Sequence, residues 1–310
     1  MFCNLVFLNM EALTLWYYRF AIRFVPLLPE RLGYWLFARM GDLAFMLNTG
    51  ARRNYQKNLA HVLGATAPPS EYARITRRAL QNLMKNYFDL FRGHRLTEAQ
   101  VYAQLASVEG LEHLDNAIAL GKGIAGGSAH FGNFNMFVHL TAVHFKHKHA
   151  VVVPVERIKP ESVFQLVTTQ RAAQGIELVA ADQAARVLLK KLRSGAILGL
   201  AVDLDPTRTG PVVNFFGAPA QLPDGAAVLA IKYNAPLILA FIRRRDDNRC
   251  AVTIEPPLEL ERTGNLAQDS RRAVEKIAAR LEHWIRQYPE QWIMFQPVWE
   301  EDKSDSRAVG

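Results

Sequence analysis

Apolar positions along the first hundred residues recur three or four apart, the spacing of one helix face. They predict helices over 11–25 and 30–48, parted by Pro26 to Pro29. A basic helical stretch from Arg52 to Leu59 follows, ending near Gly64, and then a helix over 70–92 behind the Ala67-Pro68-Pro69-Ser70-Glu71 loop. After residue 105 the rhythm changes. Short runs of strand character at 108–110, 124–128, 150–155, 177–180, 196–202, 236–242 and 251–254 alternate with helical patterns at 112–120, 134–145, 160–175, 182–193, 225–233 and 269–287. This alternation predicts an α/β fold, a central and largely parallel sheet flanked by helices, preceded by an N-terminal helical region. Residues 204–223 read as a loop. The chain then divides into a hydrophobic helical region over 1–50, one α/β domain over 51–300 and a disordered tail over 301–310.

Half of the 310 residues are hydrophobic, which supplies a substantial core and excludes wholesale disorder. The formal charge of +8 favours an anionic partner. The basic residues are dispersed and no recognition motif accompanies them, so nucleic acid is not expected. Cys3 and Cys250 alone make neither a disulfide scaffold nor a CxxC metal site. In the first fifty residues Arg19, Arg23, Pro26, Pro29, Glu30 and Arg31 interrupt every window before about 18 apolar residues accumulate, so no spanning helix is expected. Nor is a secretory signal, for want of early positive charge and a small-residue cleavage site. Trp16, Tyr17, Tyr18, Phe20, Phe24, Trp35 and Phe37, interleaved with arginines, read as helices lying in a membrane interface. The alternative is a buried helical cap on a soluble core.

The stretch from Gly126 to Leu140 concentrates the candidate chemistry. A strand ends in small residues, His130 follows, and Gly132 and Asn133 lead into a helix. A titratable imidazole is thereby placed at the sheet edge where α/β proteins handle ligands. Gly121-Lys122-Gly123-Ile124-Ala125-Gly126 matches a dinucleotide fingerprint by letter, but it precedes its strand, so that reading is rejected. His139, His144, His147 and His149 lack a nearby acidic partner and read as a solvated helix end, not a metal site. Asp203 and Asp205 follow a buried strand. They could be an acid/base couple, metal ligands or a turn held by Asx hydrogen bonds. Arg208 could meet a lipid phosphate or pair with Asp205, Asn133 and Asn135 could cap the helix after them, and Phe215, Phe216, Trp292 and Trp299 read first as core.

Ser128-Ala129-His130-Phe131-Gly132-Asn133-Phe134-Asn135 resembles the His-x-Gly-Asn-Trp-Glu/Asp box of the bacterial lysophospholipid acyltransferases. The branch concerned holds the late lipid A and the phosphatidylinositol mannoside acyltransferases. Arg52-Arg53 to Asn58-Leu59, Val108 to Glu112, Glu156 to Glu161, Arg171 to Gly175, Asp203 to Pro206, Phe215-Phe216-Gly217, Pro223 to Ala226, Ala235-Pro236 and Tyr288 to Trp292 resemble further blocks in order and spacing. The resemblance implies transfer of a fatty acyl chain from an acyl thioester, on acyl carrier protein or coenzyme A, to a hydroxyl of an anionic membrane lipid or glycolipid of lipid A type or similar. It implies no cofactor and a peripheral place on the cytoplasmic side of the inner membrane. His130 would be the general base. Where the family has an orienting acid, this chain has Asn135. The ring would then be held by Asn135 or by Glu156, with Arg171 anchoring that glutamate or the donor's carbonyl oxygen. Asn133, Asp203, Asp205 and Arg208 would contact substrate. The alternative is a catalytically impaired, lipid-binding homologue, because asparagine supplies no negative charge.

Overall fold

A computed structural model describes residues 2–47, 49–64, 67–145, 148–157, 159–300 and 302, the side chains of 2–10 apart. The tail expected over 301–310 lies, Asp302 excepted, outside them. Five helices come first: α1 (Phe2–Phe24), α2 (Glu30–Met46), α3 (Gly50–Leu63), α4 (Pro69–Gly93) and α5 (Glu98–Ala103). Their limits follow the local chemistry. Pro29 precedes α2, the Thr49 hydroxyl accepts from the Arg52 N–H to cap α3, and Thr97 and Gln100 form a reciprocal capping box on α5.

Then follow β1 (Leu105–Glu109), α6 (Leu111–Ala119), β2 (Ile124–Ser128), α7 (Phe134–His144), β3 (Val151–Val155), α8 (Glu161–Ala172), β4 (Ile176–Ala180), α9 (Ala184–Arg193) and β5 (Ile197–Ala201). The chain continues through β6 (Val212–Phe215), β7 (Ala218–Gln221), α10 (Gly225–Tyr233), β8 (Leu237–Arg244), β9 (Cys250–Ile254) and α11 (Leu266–Gln287). Seven strands form one sheet in the order β1-β9-β8-β2-β5-β3-β4, parallel at every pairing except β8 with β9. The expected α/β fold is the one observed. In β8, Leu237, Leu239 and Phe241 enter one core while Ile238, Ala240 and Ile242 enter the other, which is why this central strand is apolar without a break.

Two features differ from the sequence expectation. Helix α5 was not anticipated, and the supposed loop over 204–223 contains the antiparallel hairpin β6–β7. Its two turn residues, Phe216 and Gly217, have φ of 53° and 82°. A left-handed phenylalanine is not the usual hairpin signal, so the turn is hidden from sequence.

Helix α2 packs closely on α4. A Cβ at Gly41 would stand 2.6 Å from the Gln81 Cα, and Tyr34, Phe37, Phe88 and Phe91 form a small aromatic core there. The outer side is different. Leu13, Trp16, Phe20, Phe24 and Leu27 from α1 and its end, and Leu32, Trp35, Met40, Leu43 and Met46 from α2, are exposed. Among the described residues no helix is long and apolar enough to cross a membrane. On α3, the inward face anchors the C-terminal segment, with the Tyr55 hydroxyl donating to the Pro289 carbonyl and the Asn58 amide to those of Met294 and Gln296. That part of the basic helix is therefore core.

Candidate active site

Strands β2 and β5 are adjacent and parallel, with Ser128 opposite Ala201. The Val202 N–H extends the ladder by donating to the Ser128 carbonyl. Two residues beyond that register the chain reaches His130 on one side and Asp203 on the other. From there it leaves for opposite faces of the sheet. Helix α7, after β2, packs with Ile124 and Ile238, whereas α10, after β5, packs with Ala125 and Leu237. Such divergence opens a crevice beyond the strand ends.

The Asp203 carboxylate holds His130 at two points. Oδ1 lies 2.9 Å from the ring Nδ1, and Oδ2 accepts from the His130 main-chain N–H at 2.9 Å. Oδ2 also accepts from the Trp292 indole at 2.9 Å. Asp203 is wholly buried, while the His130 side chain keeps 37% of its surface. With Nδ1–H donating to a buried carboxylate, the free edge of the ring is the Nε2 edge, which carries the lone pair. Burial by itself would lower the His130 pKa. The Asp203 charge and hydrogen bond outweigh it, Glu156 adds a weaker pull, and the net shift is upward. Burial would raise the Asp203 pKa, but the His130 charge, the ring and main-chain N–H donors and Trp292 hold it below its ordinary value.

The loop carrying the histidine is clamped from the far end of the chain. The Ile293 N–H donates to the His130 carbonyl at 2.7 Å, and the Gly132 N–H to the Gln291 carbonyl at 2.7 Å. Gly132 adopts φ of 53°, and a Cβ there would meet the Ile242 carbonyl oxygen at 1.6 Å, so only glycine fits between loop and sheet. Asn133 caps α7 through the Met136 N–H and donates to Asp89 Oδ2. It is 1% exposed, which leaves it no surface for the substrate contact expected of it.

The other sequence candidates separate. Asn135 does not hold the histidine, because its Oδ1 accepts from Arg171 Nη2 at 2.7 Å. Arg171 Nη1 in turn donates to His139 Nε2 at 2.9 Å. Burial and the arginine charge push the His139 pKa down to about 3, so this ring is a neutral acceptor deep in the fold and no part of a solvated helix end. His144 meets Asp115 and His149 meets the Gly195 carbonyl, so these histidines do not converge. His147 lies outside the described residues. Glu156 is exposed and makes no hydrogen bond or ion pair to His130 or Arg171; it reaches the ring only through its field. Asp203, expected among substrate contacts, is buried and hydrogen-bonds the ring and main-chain N–H of His130. Asp205 closes a turn, accepting from the Thr207 N–H and hydroxyl and from the Gly210 N–H. Arg208 sits at φ of 56° on the surface, its guanidinium 3.7 Å from Glu300, and it meets Asp205 through its main chain and not through a side-chain ion pair. Among the described residues no cluster of three or more acidic, histidine or cysteine side chains could hold a metal.

A second polar centre went unread in sequence. Asp89 on α4 forms a buried ion pair with Arg244 at the end of β8, 2.6 Å between Oδ2 and Nη2. Residues so far apart in the chain give no local signal, and Arg244 ends an apolar strand where a surface arginine is the ordinary expectation.

Residues 5–301 match the family described as bacterial lipid A biosynthesis acyltransferase. The chain is 30% identical over 267 residues to a phosphatidylinositol mannoside acyltransferase of Mycobacterium tuberculosis (strain CDC 1551 / Oshkosh), covering 84% of this chain and 81% of the relative. It is 27% identical over 293 residues to a phosphatidylinositol mannoside acyltransferase of Mycolicibacterium smegmatis, covering 93% and 91%.

Proposed function

We propose that this chain, which belongs to the bacterial lipid A biosynthesis acyltransferase family, transfers a fatty acyl chain from a thioester to a hydroxyl of a membrane glycolipid, with His130 as general base and Asp203 as its orienting acid. The observation that carries the reading is the partly exposed ring with Nδ1 tied to a buried carboxylate. Nε2 takes the proton of the acceptor hydroxyl as its oxygen attacks the thioester carbonyl. The C–S bond then breaks, and the departing thiolate recovers the proton from the imidazolium, which Asp203 stabilises meanwhile. The donor is an acyl carrier protein or coenzyme A thioester, both anionic, and the +8 charge of the chain favours either. The relatives named for phosphatidylinositol mannoside support a sugar-bearing anionic lipid as acceptor, a lipid A-type molecule being the other member of this class.

The outward aromatic and aliphatic side chains of α1 and α2, with Trp16 61% and Trp35 57% exposed and arginines between, support docking on the cytoplasmic face of the inner membrane. The impaired-homologue alternative rested on Asn135. Asp203 supplies the carboxylate from another strand and removes its motive. Mass spectrometry of membrane lipids from cells carrying the wild-type chain or His130→Ala tests the reading. An acylated glycolipid is expected with the wild type only, and equal product from both would overturn it.

A further inference from the structure

The Asp89 carboxylate gathers three elements. It accepts from the Tyr34 hydroxyl of α2 at 2.7 Å, from the Asn133 amide at the start of α7 at 2.9 Å and from Arg244 at 2.6 Å. The same Arg244 Nη2 donates to Asn86 Oδ1 at 2.8 Å, and the Asn86 amide donates to the Gly132 carbonyl at 2.7 Å. The two residues that follow Phe131 in the histidine loop are thus both tied to α4, one through its carbonyl and one through its side chain. Gln291, which accepts from the Arg244 N–H and donates to its carbonyl, closes the circuit, since its own carbonyl receives the Gly132 N–H. The outer end of the circuit is Tyr34, 4% exposed, whose neighbour Trp35 faces outward.

An ion pair so deeply buried adds little net stability over apolar residues of similar size, and in some proteins such groups specify one geometry instead. The circuit is anchored on one residue and ends on the loop that aims the imidazole. We propose that Asp89, with Tyr34 and Arg244, is the positioning centre for His130, and that through Tyr34 the aim of the histidine depends on the seat of the membrane-facing helix α2. The proposal rests on the general-base role of His130 argued above.

Charged and titratable groups around the centre are Arg244, Arg92, Lys85 and the buried Cys250 thiol near Asp89 and Tyr34, with Asp203 beside His130 and Glu156 acting on the ring from further off. The ring stays protonated to higher pH than usual because Asp203 is held close, so loosening the loop brings its titration midpoint down. Tyr34→Phe removes one hydrogen bond and keeps the ring packed on Phe88.

The test is an imidazole NMR titration of the full chain, with His130 assigned by difference against His130→Gln, together with steady-state kinetics. In Tyr34→Phe the His130 midpoint is expected to fall toward the ordinary value. The same variant should lose about tenfold in kcat, with KM for the thioester and binding to anionic vesicles unchanged. Asp89→Asn should show both effects more strongly. Leu114→Ala, a core truncation away from the circuit, controls for general loosening and should leave the midpoint in place. Tyr34→Phe and Asp89→Asn chains that fold and titrate like the wild type would overturn the proposal. The titration reads the ring whether or not acyl transfer occurs, so absence of transfer alone strikes the functional reading and not this one.

Discussion

Asp203 binds both the ring and the main-chain N–H of His130, so one carboxylate fixes the loop and the imaging of the imidazole edge at once. The register of two parallel strands makes this possible. Ser128 lies opposite Ala201, and His130 and Asp203 each stand two residues further on. In Asp203→Asn, the amide oxygen must serve the His130 and Trp292 N–H groups, which turns the amide N–H₂ toward Nδ1. The ring would then carry its proton on Nε2 and could not accept one from the acceptor hydroxyl. A loss in kcat on the order of 10²–10⁴ is expected, by analogy with the wrong tautomer in a hydrolase triad. Steady-state acyl transfer checks it. A loss below about threefold would mean that the tautomer is not what Asp203 controls.

The pH dependence follows from the same pair. The proposed base acts as the neutral ring, and the buried Asp203 carboxylate holds its pKa above the ordinary imidazole value. Transfer, measured as kcat/KM, should therefore rise with pH through a midpoint above that value. Glu156→Gln removes a remote negative charge that favours the protonated ring, so it should move the acid limb modestly to lower pH without changing the plateau. For stability the sign is the opposite of activity. A raised folded pKa means that the pair's contribution is fully present below the unfolded value near 6.5 and is lost as pH rises through the folded one. Thermal midpoints of the wild type should decline over the interval in which activity appears, and those of His130→Ala should not.

Much of this site was legible in sequence, and the missing part has a definite cause. The apolar runs located β2 and β5, and with them the positions of His130 and Asp203 just past strand ends. What a single sequence does not carry is strand order. Without knowing that β2 and β5 are neighbours, Asp203 is one acid among several, and the eye stays on Asn135, five residues from the histidine. The same blindness hid Asp89 and Arg244, 155 residues apart. Hairpin β6–β7 was missed for a local reason, its left-handed turn residue being a phenylalanine.

The outward side chains of α1 and α2 should govern docking and not chemistry. Replacing Trp16 and Trp35 together by serine removes two exposed aromatic anchors that touch none of the buried circuit. Tryptophan is enriched at membrane–water interfaces, where its amphipathic ring sits at the headgroup level. Co-sedimentation with anionic vesicles should therefore weaken by about tenfold or more, while circular dichroism and the melting temperature stay as in the wild type. Unchanged sedimentation would place the docking surface elsewhere.

Asn135 supplies the last test, because its role is now separable from that of the histidine. Its Oδ1 and His139 are the hydrogen-bond partners of the Arg171 guanidinium, and both are neutral. Burial pushes the Arg171 pKa down to about 10, and among the described residues no carboxylate stands beside it to restore it. A buried cation without a counter-charge destabilises the fold. Asn135→Asp places an anion 2.7 Å from Nη2 if the side chain keeps its place. The melting temperature is expected to rise by a few degrees, about 2–4 °C for each kcal/mol gained in a chain somewhat shorter than this one. The effect should vanish below the pKa of the new carboxylate, where it is protonated. Acyl transfer should stay within about threefold of the wild type, because the ring is already held by Asp203. A variant whose transfer rose a hundredfold would show instead that the histidine needs an acid at position 135, and would return the orienting role to that residue.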